Sequence, residues 1–481
     1  MIQPINNVLI ANRGEIAIRI ARSANELGFG TVAVYSKDDA NSLHVTYSDR
    51  SVELPGTGVK AYLNIGSIID AAISQQCDAI HPGYGLLSES AELAKACEDK
   101  GLVFIGPDVS TLQGFGDKIS ARHLAKEANI PVIEGNDKIK TAADVLSFFQ
   151  AQGEAPIMLK AVNGGGGRGM RVIKTSVEID NAFVRCQAES IAAFGSDALY
   201  VERFLPSVRH IEVQIVGDGQ DVVHLWERDC TLQRRNQKLV ELAPAPNLNA
   251  KTRERLLQAA VRLGQSCHYK GLGTVEFLVE VSDKNTNNFE GDIFFIETNP
   301  RIQVEHTVTE AITGLDLVAL QLRIAAGATL RDIGLSQADV PNPQGFAIQA
   351  RINTETLNDQ GALVPTGGII EQLQLPGGLG IRIDTYAYAG YQTNPNFDSL
   401  LAKLIVHSPA DKLGVLLNKT ERALSEFYIK GLDTNVNFLR ALLCLPELQG
   451  WKVSVQAIES KLAGLYTTGE ESRKKRYLEL A

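Results

Sequence analysis

Eight consecutive residues, Asn163-Gly164-Gly165-Gly166-Gly167-Arg168-Gly169-Met170, carry too many glycines to serve as a turn alone, because every glycine adds conformational entropy that folding must overcome. Backbone N–H groups with no side chains in the way can approach phosphate oxygens closely. A mobile linker is the plainer alternative, and it fits poorly between two closely flanking β-patterned segments, Ile157 to Ala161 and Arg171 to Lys174. The spacing is neither G-x-x-x-x-G-K-[ST] nor a strand-to-helix G-x-G-x-x-G, so a phosphate site here is of another kind. Lys160, three residues before the loop, and Lys118 are candidate phosphate partners, although either alone reads as a solvated surface charge.

A second group lies downstream. Glu276 and Glu297 sit on separate β-patterned segments and Asn299 follows, a set of hard oxygens suited to Mg²⁺. Taken singly, each glutamate reads equally well as a strand residue on a solvated face. The string Asn299-Pro300-Arg301-Ile302-Gln303-Val304-Glu305-His306 comes next; its alternation also suits an exposed strand, but its place beside the metal candidates favours the lining of a site. His306 is expected to be a hydrogen-bonded structural histidine. Arg228, Arg234, Arg235 and Lys238 crowd into one short stretch and are expected to form an anion site, with a solvated charged face as the alternative.

The elements that position these residues follow from periodicity. Val8 to Ala11 is an apolar strand, Ile16, Ile20 and Leu27 have helical spacing, and Gly28 and Gly30 end that helix. Thr31 to Tyr35, Cys77 to Ile80 and Leu102 to Ile105 read as further strands between helices, which predicts a parallel, doubly wound α/β sheet over about the first 115 residues. From Lys118, two helical stretches lead to a hairpin closed by the glycine loop, then to a helix over Ser176 to Ser190 and a strand over Leu199 to Phe204, together a small separate lid. Ile211 to Ile215, Thr274 to Leu278 and Phe294 to Glu297 read as antiparallel strands with one polar face toward a ligand. Pro341 to Gly345 marks an expected boundary before a last β-rich domain containing Ala347 to Asn353 and Leu400 to His407.

Composition narrows the classes. With 481 residues, about three domains are expected. Hydrophobic residues at 44% and charged residues at 21% are ordinary globular usage, which excludes a disordered chain. A net charge of -9 argues against nucleic acid or an anionic membrane as partner. Six cysteines without C-x-x-C spacing suggest neither zinc nor a disulfide framework. With no secretory signal pattern and no apolar run of membrane-spanning length, the expected location is the cytoplasm, though a processed organellar protein would look the same.

In order along the chain, IANRGEIAIRI, HPGYGLLSE, GDK, MLKAVNGGGGRGM, RHIEVQ, ERDCTLQRRNQK, ELAPAP, FIETNPRIQVEHTVTE, ARIN, PTGG and FDSLLAKLIV resemble the biotin carboxylase family of ATP-grasp enzymes, over about residues 5 to 450. The resemblance implies an α/β and α+β chain: a doubly wound N-terminal domain over 1–117, an ATP-grasp domain over 118–335 with its lid at about 136–203, a β-rich C-terminal domain over 345–452, and a tail over 453–481.

It also implies roles. ATP phosphates would be bound by Lys118, Lys160, Gly164, Gly165, Gly166 and Gly167, the adenine bordered by Glu202 and Leu205, and the ribose region contacted by His210, with Gln233 and Asn236 also on the nucleotide. Glu276, Glu297 and Asn299 match ligands of two Mg²⁺ or Mn²⁺ ions. Lys238, Arg301, Gln303 and the Val304 backbone match a bicarbonate pocket, Glu305 the base that deprotonates bicarbonate, Arg351 the group that stabilises the oxygen charge developing on biotin, and Tyr84 a neighbour of bicarbonate and biotin.

The family's partners are a biotin carboxyl carrier, a carboxyltransferase component and a second copy in a homodimer. No M-K-M attachment motif occurs, so biotin is expected on another domain or chain. The resemblance leaves the final acceptor open among acetyl-CoA, another acyl-CoA, pyruvate and urea. Two residues depart from the family pattern: Asn236 stands where many members have histidine, and Phe397 where tyrosine commonly precedes D-S.

Overall fold

The computed structural model describes residues 5–162, 169–281, 290–357, 363–410, 412–461 and 464–465. The apolar run at the start forms β1 (Asn7–Ile10), and the chain then lays down β2 (Gly30–Ser36), β3 (Arg50–Leu54), β4 (Ala79–His81) and β5 (Val103–Phe104). They assemble in the order β3-β2-β1-β4-β5 with every pairing parallel. This is the doubly wound sheet expected from strand–helix alternation; β3 was not foreseen, because its Arg50-Ser51-Val52-Glu53 is polar and largely exposed on an edge. The helix Gly14–Glu26 packs Ile16, Ala17, Ile20, Ala21 and Ala24 into the core. Gly14 has φ +66°, and a Cβ there would stand 3.2 Å from the Tyr386 ring, so this close approach requires glycine.

The small sheet holds β6 (Gly135–Ile139), β7 (Ile157–Ala161), β8 (Met170–Ile173) and β9 (Leu199–Arg203), in the order β6-β9-β7-β8 and antiparallel throughout. The helices Ala142–Ala151 and Ile179–Phe194 cover it with Val145, Phe149, Ile179 and Cys186, so it has an apolar core of its own. Of the two helical stretches expected before the hairpin, Lys118–Glu127 and Ala142–Ala151 both form. β6 lies between them and went unseen, since Gly-Asn-Asp-Lys-Ile has no apolar alternation.

The body contains β10 (Val208–Asp218), β11 (Val222–Arg234), β12 (Gln237–Ala243), β13 (Lys270–Glu280), β14 (Ile293–Asn299) and β15 (Phe346–Asn353). Two short strands, β16 (Glu355–Leu357) and β17 (Leu363–Pro365), pair with each other. β18 (Gln372–Gln374) precedes β19 (Ile381–Thr385) and β20 (Leu400–Ser408), and pairs with β21 (Tyr428–Lys430). Eight of these strands form one antiparallel sheet, β14-β13-β10-β11-β12-β15-β20-β19.

The segment Pro341 to Gly345 is irregular, yet it does not divide the sheet: β15 beyond it hydrogen-bonds to β12 before it, with Val240 opposite Ala350. The β-rich last part therefore shares its backbone ladder with the body, and the helices Leu413–Glu426 and Val436–Leu443 cover that part. No helix among the described residues is long and apolar enough to cross a membrane.

Candidate active site

Between the three parts lies a cleft of about 730 Å³. That is ample for a small-molecule ligand. Each wall of it brings one group of candidates.

Asp117 caps the helix Lys118–Glu127, accepting from Ser120 N–H at 2.7 Å, so Lys118 stands in the first turn. A cation there opposes the helix dipole and is better placed beside an anion. Its ammonium is 3.9 Å from Glu297; burial, then Lys160 nearby, lower its pKa against the pull of Glu297. Lys160 projects from β7 opposite Tyr200 of β9 and ion-pairs with Glu202, which also meets Arg122 at 3.2 Å. Burial works against the charged Lys160, but Glu202 and Tyr200 outweigh it and hold its pKa above the ordinary lysine value. Neither lysine is a solvated surface charge. Gly164 to Gly167 lie outside the described residues, while the strands flanking the loop form the expected hairpin, with Lys160 opposite Met170.

Glu276 and Glu297 face each other in register on β13 and β14, as separate β-segments had suggested. The Glu276 carboxylate accepts from Asn299 Nδ2, Gln303 Nε2 and Lys238 Nζ at 2.8, 2.8 and 2.9 Å, and is 2.6 Å from His210 Nε2. Burial raises its pKa, yet Lys238 and His210 hold it well below the usual carboxylate range. Glu297 is more open, with Lys118 as a distant partner. Asn299 Oδ1 accepts from Arg301 Nη2 at 2.9 Å. Two carboxylates and an amide oxygen at one mouth of the cleft fit a hard divalent cation, for which the donors now on Glu276 would have to turn aside.

Residues 300–305 form a loop, not a strand, pinned by fully buried Ile302. Glu305 occupies the N-cap of the helix His306–Thr313. Its carboxylate is almost completely buried and lies between two cations, accepting from Lys238 Nζ at 2.7 Å and Arg351 Nη2 at 3.0 Å. Burial pushes its pKa up, but Lys238, then Arg351 and Arg228, drive it far below the ordinary value.

Lys238 in turn holds Glu212 at 2.6 Å, and Arg351 holds Glu241 at 2.5 Å. Arg301 bonds Glu89 at 2.6 Å. Val304, Leu205, Gln233, Asn236 and Tyr84 also line the cleft, and Gln233 lies 2.5 Å from His210 Nδ1. His306 is structural as expected: its Nδ1 is 2.7 Å from the Gln303 carbonyl, and burial first, then Lys403, keeps its pKa well below the imidazole value.

The expected basic anion site does not form. Arg228 is fully buried, bonding Glu212, Gln214, Thr309, Thr274 and Gln303; Arg234 pairs with Glu355; Arg235 and Asn236 make the turn between β11 and β12; only Lys238 reaches the cleft with the catalytic candidates. Adjacent sequence positions on a strand and its hairpin point to different faces. Each buried cation then needs its own carboxylate.

Both turn residues have positive φ, 48° and 63°. Asparagine adopts that region more readily than most residues, which gives Asn236 a conformational reason. Sequence reasoning missed Glu212, Glu241 and Glu89 as partners. Glu212 was within reach, because the i, i+2 alternation of His210, Glu212 and Gln214 places them on one face of β10.

Phe397 packs by its ring: the Arg13 guanidinium lies 3.9 Å from its centroid, and the Tyr62 ring stands T-shaped to it, centroids 5.8 Å apart. Phe397→Leu is expected to cost about 1–2 kcal/mol of stability and Phe397→Tyr much less, as read by urea unfolding. Equal effects of the two would contradict the stacking role.

A doubly wound domain, a small antiparallel lid and a body with paired acidic strands define an ATP-grasp architecture, and the comparisons narrow it. Residues 4–112 match the family model of the biotin carboxylase N-terminal domain, 117–333 the ATP-binding domain of the carbamoyl-phosphate synthase L chain, and 349–460 the biotin carboxylase C-terminal domain. The biotin carboxylase domain of a single-chain bacterial carboxylase is 45% identical, with a TM-score of 0.86 over 97% of this chain and 99% of that one.

The biotin carboxylase domain dimer of Hydrogenobacter thermophilus 2-oxoglutarate carboxylase, in complex with MgADP, ADP and bicarbonate, is 38% identical, with a TM-score of 0.89 over 95% and 98%. Pyruvate carboxylases of Aspergillus niger and Bacillus subtilis are 45% and 46% identical over 92% and 91% of this chain. The chain belongs to the biotin carboxylase family. It spans 37% and 38% of the length of those two pyruvate carboxylases.

Proposed function

We propose that this chain catalyses the ATP- and bicarbonate-dependent carboxylation of biotin borne on a carrier, the first half-reaction of a biotin-dependent carboxylase. The observation that carries the reading is the Glu305 carboxylate held between Lys238 and Arg351 at the cleft, beside the acidic pair Glu276 and Glu297.

Lys118 and Lys160 bind the ATP phosphates together with Gly164 to Gly167, while Glu202, Leu205, His210, Gln233 and Asn236 border the base and sugar. Glu276, Glu297 and Asn299 would hold Mg²⁺ or Mn²⁺, which neutralise phosphate charge when bound. Bicarbonate lies against Lys238, Arg301, Gln303 and the Val304 backbone. A second anion there raises the proton affinity of Glu305, turning a strongly acidic carboxyl into a usable base.

Glu305 takes the bicarbonate proton as the oxygen attacks the γ-phosphate; the γ-phosphorus–oxygen bond to ADP breaks and carboxyphosphate forms. Carboxyphosphate breaks into CO₂ and phosphate; the phosphate takes the ureido N–H proton of biotin, near Tyr84, the freed nitrogen attacks CO₂, and the Arg351 guanidinium faces the developing oxygen charge. Closure of the lid keeps water from the intermediate.

A biotin carboxyl carrier and a carboxyltransferase component are the proposed partners. A homodimer is supported by the dimeric Hydrogenobacter domain. The test is fixation of labelled bicarbonate into free biotin by the purified chain with Mg²⁺ and ATP, alongside ADP release. Fixation dependent on every component is expected. ADP release without fixation would point to another ATP-grasp ligase, and no turnover at all would refute an enzymatic role.

A further inference from the structure

Lys403 stands in β20 with none of its side chain exposed, and no step above uses it. In the ladder it lies opposite Arg351 on one side and Asp384 on the other. Like charges opposite each other on a sheet face are destabilising. An apolar residue would satisfy packing there, and replacing a buried ion pair by well-packed apolar groups is often neutral or stabilising. Instead the two cations are neutralised separately: Arg351 by Glu241 and Glu305, Lys403 by Glu15 at 2.8 Å and Asp384 at 3.7 Å.

What this pair touches gives it a reason. Lys403 Nζ donates to the Val304 carbonyl at 3.2 Å, which fixes the peptide joining Val304 to Glu305 and hence the direction in which Glu305 leaves the backbone. Glu15, from the first turn of the helix Gly14–Glu26, accepts the hydroxyl of Tyr84 at the cleft wall. Asn12 steadies the same loop, donating from Nδ2 to the carbonyls of Pro82 and Tyr84 at 2.7 and 2.9 Å. One buried ion pair, made by the N-terminal helix and the far end of the large sheet, thus touches both the peptide that aims Glu305 and the phenol across the cleft. The ATP-binding candidates Lys118, Lys160 and Glu202 lie on other elements and, among the described residues, make no ion pair with it.

We propose that Glu15 and Lys403 form a positioning pair that sets the Val304–Glu305 peptide and the Tyr84 hydroxyl together, and through them governs bicarbonate and biotin binding but not ATP binding. This rests on the bicarbonate and biotin roles proposed above.

The test is the double variant Glu15→Gln/Lys403→Met, which removes both charges with little change of shape and leaves neither alone in the interior. Melting temperature, ATP affinity and separate KM values for bicarbonate and free biotin are measured against wild type. The expected result is a melting temperature close to wild type, an ATP affinity within about twofold, and bicarbonate and biotin KM values raised about tenfold, or 1.4 kcal/mol. Wild-type KM values in the folded double variant would make the pair purely structural and overturn the proposal. An equal weakening of ATP would mean general loosening and overturn it too.

If the double variant does not fold, Glu15→Leu/Lys403→Leu, which replaces the pair by apolar groups and removes both the Val304 donor and the Tyr84 acceptor, is measured in the same way; the same split is expected, and its absence is decisive against the pair. A wild-type chain that releases ADP but fixes no bicarbonate would overturn the function itself, and this inference with it.

Discussion

Glu305→Gln is expected to lower biotin-dependent turnover by about 10²–10⁴-fold, the usual contribution of a positioned proton acceptor, with ATP affinity nearly unchanged. The amide keeps the shape and an accepting oxygen but cannot take a proton. Lys238 still has Glu212 and Glu276, and Arg351 still has Glu241, so neither cation is stranded. Steady-state kinetics and ATP titration calorimetry on the same preparation separate the two effects; turnover within tenfold of wild type would remove Glu305 from the chemistry.

The pH dependence has a definite sign. A carboxyl whose folded pKa is depressed adds stability that is present above its unfolded pKa and is lost as pH falls through the folded value. Glu305 is depressed against the effect of burial by Lys238 and Arg351, so it stays ionised through the neutral range and its contribution fades only in strong acid.

Lys238→Met carries the largest expected loss of stability, about 3–5 kcal/mol, because it removes one member of a buried charge network and leaves the others uncompensated. The Lys238 side chain is 13% exposed, and its ammonium meets Glu212 at 2.6, Glu305 at 2.7 and Glu276 at 2.9 Å. Without it three carboxylates converge on an apolar thioether chain. Arg228 on Glu212, His210 near Glu276 and Arg351 on Glu305 keep the site from collapsing outright.

Turnover is expected to fall with stability, since the proposed bicarbonate site loses the cation that Glu305 pairs with. Removing the cation raises the pKa values of Glu276 and Glu305 in the folded state, so the deficit should shrink as pH falls. Urea unfolding at pH 7.5 and 5.5 checks this: a deficit below about 1 kcal/mol at pH 7.5, or one that grows at pH 5.5, would contradict the network as described.

Much of the frame was legible along the chain. Alternation of strands and helices announced the parallel sheet, and the glycine loop between β-segments announced a hairpin, because period and turn composition are local properties. The placing of Glu276 and Glu297 on adjacent strands followed in the same way. Edge strands such as β3 and β6 escaped, since an edge needs no apolar alternation. The basic stretch from Arg228 to Lys238 misled, because sequence proximity says nothing about which face of the sheet meets which partner.

By itself, then, the sequence determined the family, the order of its parts and the chemical types in the site. Only the tertiary structure decided which charges meet. Arg351 reaches Glu305 because β15 pairs with β12 across about a hundred residues, and Lys403 meets Glu15 because the far end of that sheet packs on the first helix. Buried charges must find opposite charges wherever the chain brings them, and no local pattern records that long-range choice.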